Sequence, residues 1–314
     1  LNKILVTGVT GFVGNNLIPY LSAKGIDSLG VSRHKTGIDS MIGYDELTQD
    51  LVNNNGVSAF IHLAGKAHDI RKGVTKDEYL QANTQLTQQV YDVFIQSHAS
   101  VFIYMSSVKA VTDHATHPVT EETDQDPQTF YGISKQMAEI YINSKTELGK
   151  RTFILRPCMI HGPGNKGNLN LLYRIAQAGL PFPLAAFSNK RSFLSVENLC
   201  FIISELLLRT DIPSGIYNIA DNEPLSTNQV MEIINKALLK KNKLWRVDTN
   251  IIRMIAKIGD WIPLPLDSER LHKLTQDYIV DNRKILAALK KPLPLDVVNG
   301  LRKTIQSFNR KDVI

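Results

Sequence analysis

The run Thr7-Gly8-Val9-Thr10-Gly11-Phe12-Val13-Gly14 follows directly on an apolar strand pattern, Lys3–Thr7, and opens into a helical one. Glycines in that context turn the chain tightly and let backbone N–H groups approach a pyrophosphate at the positive end of the helix. Gly14 would let the helix pack closely on the strand. The spacing is G-x-x-G-x-x-G rather than G-x-G-x-x-G, and an ordinary strand–turn–helix connection could use the same residues. Its place at the head of an alternating pattern favours dinucleotide binding by Gly8, Thr10, Gly11, Phe12, Val13 and Gly14.

The alternation continues for two-thirds of the chain. A helix is predicted from about Phe12 to Lys24, strands at Ile26–Ser32 and Ala59–Ala64, and a long helix over Tyr79–Ser97. In that helix Leu80, Leu86, Val90 and Phe94 fall near helical spacing. Val101–Ser106 reads as a buried strand, Tyr131–Thr146 as a helix and Thr152–Pro157 as a strand. Strands alternating with helices imply an α/β fold, a Rossmann-type doubly wound parallel sheet covered on both faces. After Arg156-Pro157 the pattern loosens. Helices are expected at Leu171–Ala178, Val196–Leu208 and Thr227–Leu239, the last capped by Ser226 or Thr227, with a short strand at Gly215–Ala220. The expected division is a dinucleotide-binding domain over 1–165, with 195–220 returning to it. A smaller, interleaved C-terminal substrate domain takes 166–194 and 221–314.

The end of the second strand bears on cofactor choice. An acidic residue there would bind the ribose 2′-hydroxyl of NAD, whereas an arginine suits the 2′-phosphate of NADP. The sequence is Val31-Ser32-Arg33-His34, with no carboxylate before Asp39. Ser32 and Arg33 could hold a phosphate through charge-assisted bonds, which favours NADP. A solvated loop arginine would read the same way.

Tyr131-Gly132-Ile133-Ser134-Lys135 puts a phenol and an ammonium on one helix face. A tyrosine with its ordinary pKa of about 10 is a poor acid–base group at neutral pH. A nearby cation would lower that value, and the same lysine could bond the nicotinamide ribose. Y-x-x-x-K also arises by chance as a surface helix pair. Ser106-Ser107 ends the Val101–Tyr104 run, where side chains at carboxyl ends of parallel strands face the ligand crevice. Ser106 is expected to satisfy strand-end backbone groups, and Ser107 to bond a reacting oxygen.

Bulk properties exclude several alternatives. The formal charge is +6, but its basic residues are scattered without an aromatic–basic platform, so no nucleic-acid partner is expected. No apolar run reaches the roughly 18 residues needed to span a bilayer, and no membrane partner is expected. The chain opens straight into a strand pattern with no signal-peptide pattern. Cys158 and Cys200 lie in apolar surroundings without metal-ligand spacing, as buried thiols of a reducing compartment would. A cytoplasmic protein with no metal site is expected.

Taken together and in order, these residues resemble an extended short-chain dehydrogenase/reductase of the nucleotide-sugar epimerase/dehydratase/reductase branch. The resemblance covers nearly the whole chain. It rests on Thr7–Gly14, His62-Leu63-Ala64-Gly65, Asn83, Ser106-Ser107, Tyr131–Lys135, Arg156-Pro157, His161-Gly162-Pro163 and Arg191-Ser192-Phe193. It implies that Tyr131 gives or takes a proton, that Lys135 activates it and that Ser107 partners the substrate oxygen. Leu63, Ala64, Gly65 and Pro157 are implied to line the cofactor. Asn83 would organise the interior between neighbouring strands. Asn168 and Arg191, with Arg270 a weaker choice, would contact the diphosphate of a sugar nucleotide. A homodimer through Tyr79–Ser97 and Tyr131–Thr146 is implied as well.

Departures from the family pattern narrow the activity. Dehydratases of this family carry an Asp-Glu pair directly after the catalytic threonine, to take the C5 proton and expel the C6 hydroxyl. Val108-Lys109 cannot do that chemistry. His161 stands where a tyrosine is usual and is expected to be a packed ring. The leading expectation is an NADP(H)-dependent reductase of a 4-keto-6-deoxy nucleotide sugar, resembling a bacterial surface-polysaccharide subgroup. A nucleotide-sugar 4-epimerase uses the same groups. A catalytically silent dinucleotide-binding regulator is a third reading, against which both Tyr131 and Lys135 are present.

Overall fold

A computed structural model describes residues 3–33, 40–67, 74–145, 147–165, 167–262 and 266–309. Its first half is a strand–helix alternation. It contains β1 (Lys3–Thr7), α1 (Phe12–Ser22), β2 (Ser28–Val31), β3 (Met41–Ile42), α2 (Gln49–Asn54) and β4 (Val57–His62). Next come α3 (Lys76–Tyr79), a π-helical turn (Leu80–Gln85), α4 (Leu86–Gln96), β5 (Val101–Met105), α5 (Phe130–Ser144) and β6 (Arg151–Pro157). The second half holds β7 (Met159–His161), α6 (Asn168–Gln177), β8 (Phe193–Ser195), α7 (Val196–Leu208), β9 (Gly215–Ile219) and α8 (Thr227–Ala237). It ends in α9 (Thr249–Gly259), α10 (Ser268–Thr275), α11 (Arg283–Leu289) and α12 (Val297–Asn309).

The strands form a seven-stranded parallel sheet in the order β3-β2-β1-β4-β5-β6-β9. The strand order reverses beside β1, and ligands of open parallel sheets bind at the carboxyl ends there. Ile4, Leu5, Val6, Phe60, Ile61, Phe102 and Ile103 are wholly buried, because helices cover both faces. Residues 34–39 are outside the described set, so the carboxylate at Asp39 is too.

Two differences from the sequence reading have local causes. The two-residue β3 is shorter than any periodic pattern can reveal. The stretch expected as one helix over Tyr79–Ser97 is interrupted by the π turn, which re-aims Asn83 without breaking the apolar stripe. Ser226 caps α8 with a full capping box, bonding Gln229 in both directions.

A second apolar cluster gathers Leu169, Leu172, Phe182, Val230, Ile234, Leu271 and Leu301 away from the sheet. Within the 221–314 stretch, Tyr278, Val280, Ile285 and Leu289 instead pack into the cluster on the sheet face. β7 and β8 form a small parallel pair at the junction. Among the described residues no helix is long and apolar enough to cross a membrane.

Candidate functional site

The glycine turn comes first in the site. Gly8 has φ +71°, and a Cβ there would lie 2.7 Å from the backbone nitrogen of Ala64. The first turn and the loop after β4 therefore pass in contact. A Cβ on Gly14 would come within 2.5 Å of the carbonyl oxygens of Gly8 and Val9. Gly11 caps α1 without a side-chain bond, and Thr10 and Gly11 are exposed, so the first N–H groups of the helix face outward. Phe12 packs toward Gly162, while Asn16 donates to the carbonyls of Phe12 at 2.8 Å and Pro163 at 3.1 Å. Val13 is half-buried against the sheet-face cluster. Ser32 is half-buried and Arg33 exposed at the end of β2.

A cavity of about 220 Å³ opens at the carboxyl ends of β4, β5 and β6. Leu63, Gly65, Ser106, Ser107, Tyr131, Lys135 and Pro157 all line it. Ser107 caps a short 3-10 turn, its Oγ accepting from the Lys109 nitrogen at 3.1 Å, and stands close enough to the Tyr131 phenol to favour its ionised form. Thr129 caps α5 by accepting from Gly132 N at 3.1 Å, which starts the helix where Tyr131 and Lys135 share one face. The Lys135 Nζ donates to the Met105 carbonyl at 2.8 Å and sits 4.8 Å from the centre of the Tyr104 ring.

The electrostatics differ from the sequence expectation. Burial pushes the Tyr131 phenol above its ordinary value, and the neighbouring Ser107 hydroxyl only partly offsets this. Lys135 turns toward the Met105 carbonyl, and burial brings its own pKa down to about 8 against the raising effect of Glu139. Close by, burial lowers His62 to about 3, so its ring is neutral. His62 bonds Thr7 through Nδ1 at 2.7 Å and Thr87 through Nε2 at 3.0 Å. Thr7 in turn accepts from Ala64 N at 3.1 Å, which fixes the loop against the glycine turn.

Behind Lys135 lies a carboxylate that sequence reading missed. Glu139 accepts from Ser106 Oγ, from Arg156 Nη2 at 2.6 Å and from Gln125 at 3.0 Å. Ser106 thus serves this buried acid and not the strand-end backbone groups. The available signal was spacing, since Glu139 stands one helical turn beyond Lys135 on a buried face. Asn83 also differs from its implied role: it joins a loop to a helix. Its Oδ1 accepts from Lys66 N at 2.7 Å, and its Nδ2 donates to the Lys66 carbonyl at 3.0 Å and Ser134 Oγ at 2.9 Å. Cys158, buried in the cavity lining, is a free thiol whose pKa burial raises; Cys200 is a second.

Arg191 lies elsewhere, on a cavity of about 30 Å³ with Met159, Phe193 and Lys273. Met159 faces this cavity and Ile160 the larger one, as successive residues of β7 must. The Arg191 Nη1 donates to the Lys273 carbonyl. Asn168 begins α6, while its side chain lies outside the described residues. Arg270 is exposed on α10 beside Asp267 at 3.4 Å and lines neither cavity. His161 is a packed ring, bonded to Thr304 at 2.9 Å.

These features fit a dinucleotide. The turn has no room for a Cβ at Gly8 or Gly14, and a Cβ on Gly65 would meet Asn83 Oδ1 at 2.7 Å and Lys135 Nζ at 3.1 Å. Gly8, Gly11, Gly14, Ala64, Gly65 and Lys135 are the residues that could hold one.

Comparison with known proteins agrees. A family model described as the NAD dependent epimerase/dehydratase family matches residues 4–220. The chain is 27% identical over 322 residues to a UDP-glucose 4-epimerase of Vibrio cholerae, covering 98% of this chain and 95% of the relative. It is 24% identical over 312 residues to a dTDP-4-dehydro-6-deoxyglucose reductase of Escherichia coli, covering 87% and 96%. The solved structure of MoeE5 in complex with UDP-glucose and NAD superimposes with a TM-score of 0.76 at 19% identity, covering 99% of each chain. The matched span contains the glycine turn and the Ser107–Tyr131–Lys135 cavity, and the chain belongs to the NAD dependent epimerase/dehydratase family.

Proposed function

We infer that this protein reduces the C4 carbonyl of a 4-keto-6-deoxy nucleotide sugar with NADPH. The observation that carries the reading is the convergence of Ser107, Tyr131 and Lys135 on one cavity at the carboxyl ends of the sheet. The bound dinucleotide supplies the hydride. Ser107 and Tyr131, which line the same cavity, both address the carbonyl oxygen. Tyr131 donates its proton as that oxygen gains charge. Its raised pKa keeps the phenol protonated at neutral pH, which suits a donor. Lys135 places a cation beside the site, and Arg191 beyond β7 gives the substrate diphosphate a partner. Arg33, exposed after β2 with Ser32 before it, supports the 2′-phosphate of NADP over NAD. Val108-Lys109 after Ser107 supports reduction over dehydration.

A 4-epimerase is the second reading, favoured by the match to the Vibrio cholerae enzyme along 98% of the chain. There Tyr131 would alternate as base and acid. A homodimer through α4 and α5 belongs to either reading, supported by Met137 and Ile140, which α5 leaves 42% and 58% exposed. The two buried free thiols agree with a cytoplasmic setting.

Purified protein with NADPH and a 4-keto-6-deoxy nucleotide sugar tests the reading by absorbance at the nicotinamide band. Stoichiometric loss of reduced cofactor is expected. Inversion at C4 of a nucleotide sugar that carries a C4 hydroxyl, without net cofactor use, would replace the reductase by the epimerase. No turnover, with tight cofactor binding, would leave a silent dinucleotide binder.

A further inference from the structure

Half of the exposed large hydrophobic side chains among the described residues fall within residues 245–262. On α9 the residues Ile251, Met254, Ile255 and Ile258 repeat at i, i+3, i+4 and i+7 and are 39–59% exposed. A separate stripe, Ile252 and Ala256, packs inward on the second apolar cluster. The helix therefore carries one apolar stripe that seats it and another that is left exposed among the described residues. Both tryptophans of the protein bracket it: Trp245 is 58% exposed and Trp261 is 91% exposed.

Charge indicates what this face meets. Lys240, Lys241, Lys243, Arg246, Arg253 and Lys257 are all exposed. Against the two acids within residues 240–262 they leave +4 of the chain's formal +6. The two acids are occupied as caps. Asp248 accepts from Asn250 N at 2.8 Å, and Asp260 accepts from Ser268 N at 2.8 Å and Ser268 Oγ at 2.6 Å. Around the helix, at 100° per residue, Lys257 falls about 60° beyond Met254 on the side of Trp261, and Arg253 about 100° beyond Met254 on the same side. An apolar face edged by cations and ended by tryptophans matches a bilayer interface, where rings sit at headgroup depth and cations meet anionic lipid.

We propose that α9, with Trp245 and Trp261, lies in the surface of an anionic bilayer and docks the enzyme there as a peripheral protein. This replaces the sequence expectation of no membrane partner, which considered only spanning segments. It is independent of the proposed reaction.

The test is sedimentation of the full chain with vesicles of phosphatidylglycerol and phosphatidylcholine, beside vesicles of phosphatidylcholine alone. Binding to the anionic vesicles is expected, with affinity lower by at least about tenfold on the neutral ones. It should weaken similarly in about 1 M salt, where the screening length is about 3 Å. Tryptophan emission should shift to the blue on binding, since both indoles sit in the patch. Ile258→Glu should abolish binding, and Arg253→Glu with Lys257→Glu should remove the anionic preference. Each variant should keep wild-type secondary structure and dinucleotide affinity, because these residues line neither cavity. Absence of both sedimentation and emission shift overturns the proposal, as does an Ile258→Glu variant that binds like wild type. A stable dimer that Ile258→Glu dissociates would instead assign the face to a second copy and overturn it too.

Discussion

Arg156 and Glu139 meet with Nη2 and Oε2 2.6 Å apart, both side chains 2% exposed, directly behind the cavity that Ser106 and Lys135 line. Removing one member of a buried pair leaves the other charge uncompensated, at a cost of about 3–5 kcal/mol. Glu139→Gln should therefore lower the melting temperature by several degrees in a thermal unfolding scan. A variant melting with the wild type would show that the pair adds nothing net to stability.

The same carboxylate sets a pH limb. Burial holds Lys135 near about 8, and Glu139 is what keeps it from falling further. The ammonium is present below that value and is lost as pH rises through it. The Tyr131 phenol, raised by burial, is still protonated there. For reduction, kcat/KM should fall as pH rises through about 8, and Glu139→Gln should move that fall to lower pH. A wild-type profile flat to pH 10 would remove the Lys135 charge from the reaction.

The strand–helix alternation is legible in the sequence because apolar runs such as Ile4–Val6 and Phe102–Ile103 are buried on both faces and stand out against polar connections. The glycine turn is legible because its residue type is dictated by space: a Cβ on Gly8 or Gly14 would lie 2.5–2.7 Å from backbone atoms. Glu139 is legible only as a spacing, because an acid one turn from Lys135 looks like an exposed helix residue until Arg156 and Ser106 arrive from neighbouring strands. The direction of the Lys135 ammonium is set by a backbone carbonyl at Met105, to which no residue letter points. Likewise, only the packing of the second cluster reveals which apolar stripe of α9 is left uncovered.

Tyr131→Phe keeps the ring and removes the proton. Turnover should fall by about 10²–10⁴-fold with dinucleotide affinity unchanged. Ser107→Ala removes one hydrogen bond to the reacting oxygen and should slow turnover by about 10–100-fold. Because Ser107 also accepts from Lys109 N at 3.1 Å, Ser107→Thr should restore both bonds and most of the rate. Single-turnover rates together with a cofactor titration check all three. A Tyr131→Phe variant at wild-type rate would take the phenol out of the chemistry.

Gly14→Ala places a methyl within 2.5 Å of two backbone oxygens, at Gly8 and Val9, so α1 must move away from the turn. Overpacking of this kind costs about 1–3 kcal/mol, and here the displaced atoms are those that would cradle the pyrophosphate. Dinucleotide affinity should drop more steeply than stability, measured by fluorescence titration beside thermal unfolding. Equal affinity in the variant would place the cofactor away from this turn.

Arg33 is exposed at the end of β2, preceded by Ser32, and Tyr44 feels its charge. A guanidinium and a hydroxyl there can bond a ribose 2′-phosphate, and a charged hydrogen bond is worth about 1.5–3 kcal/mol. An aspartate at the strand end would accept from the 2′-hydroxyl of NAD and repel the phosphate. Ser32→Asp combined with Arg33→Ala should therefore reduce the ratio of kcat/KM for NADPH to that for NADH by about 10–100-fold or more. The ratio is the informative quantity, because a general loss of activity lowers both terms alike. If it does not change, recognition of the 2′ position does not run through the end of β2, and the case for an exchanging NADPH weakens in favour of an enzyme that retains NAD.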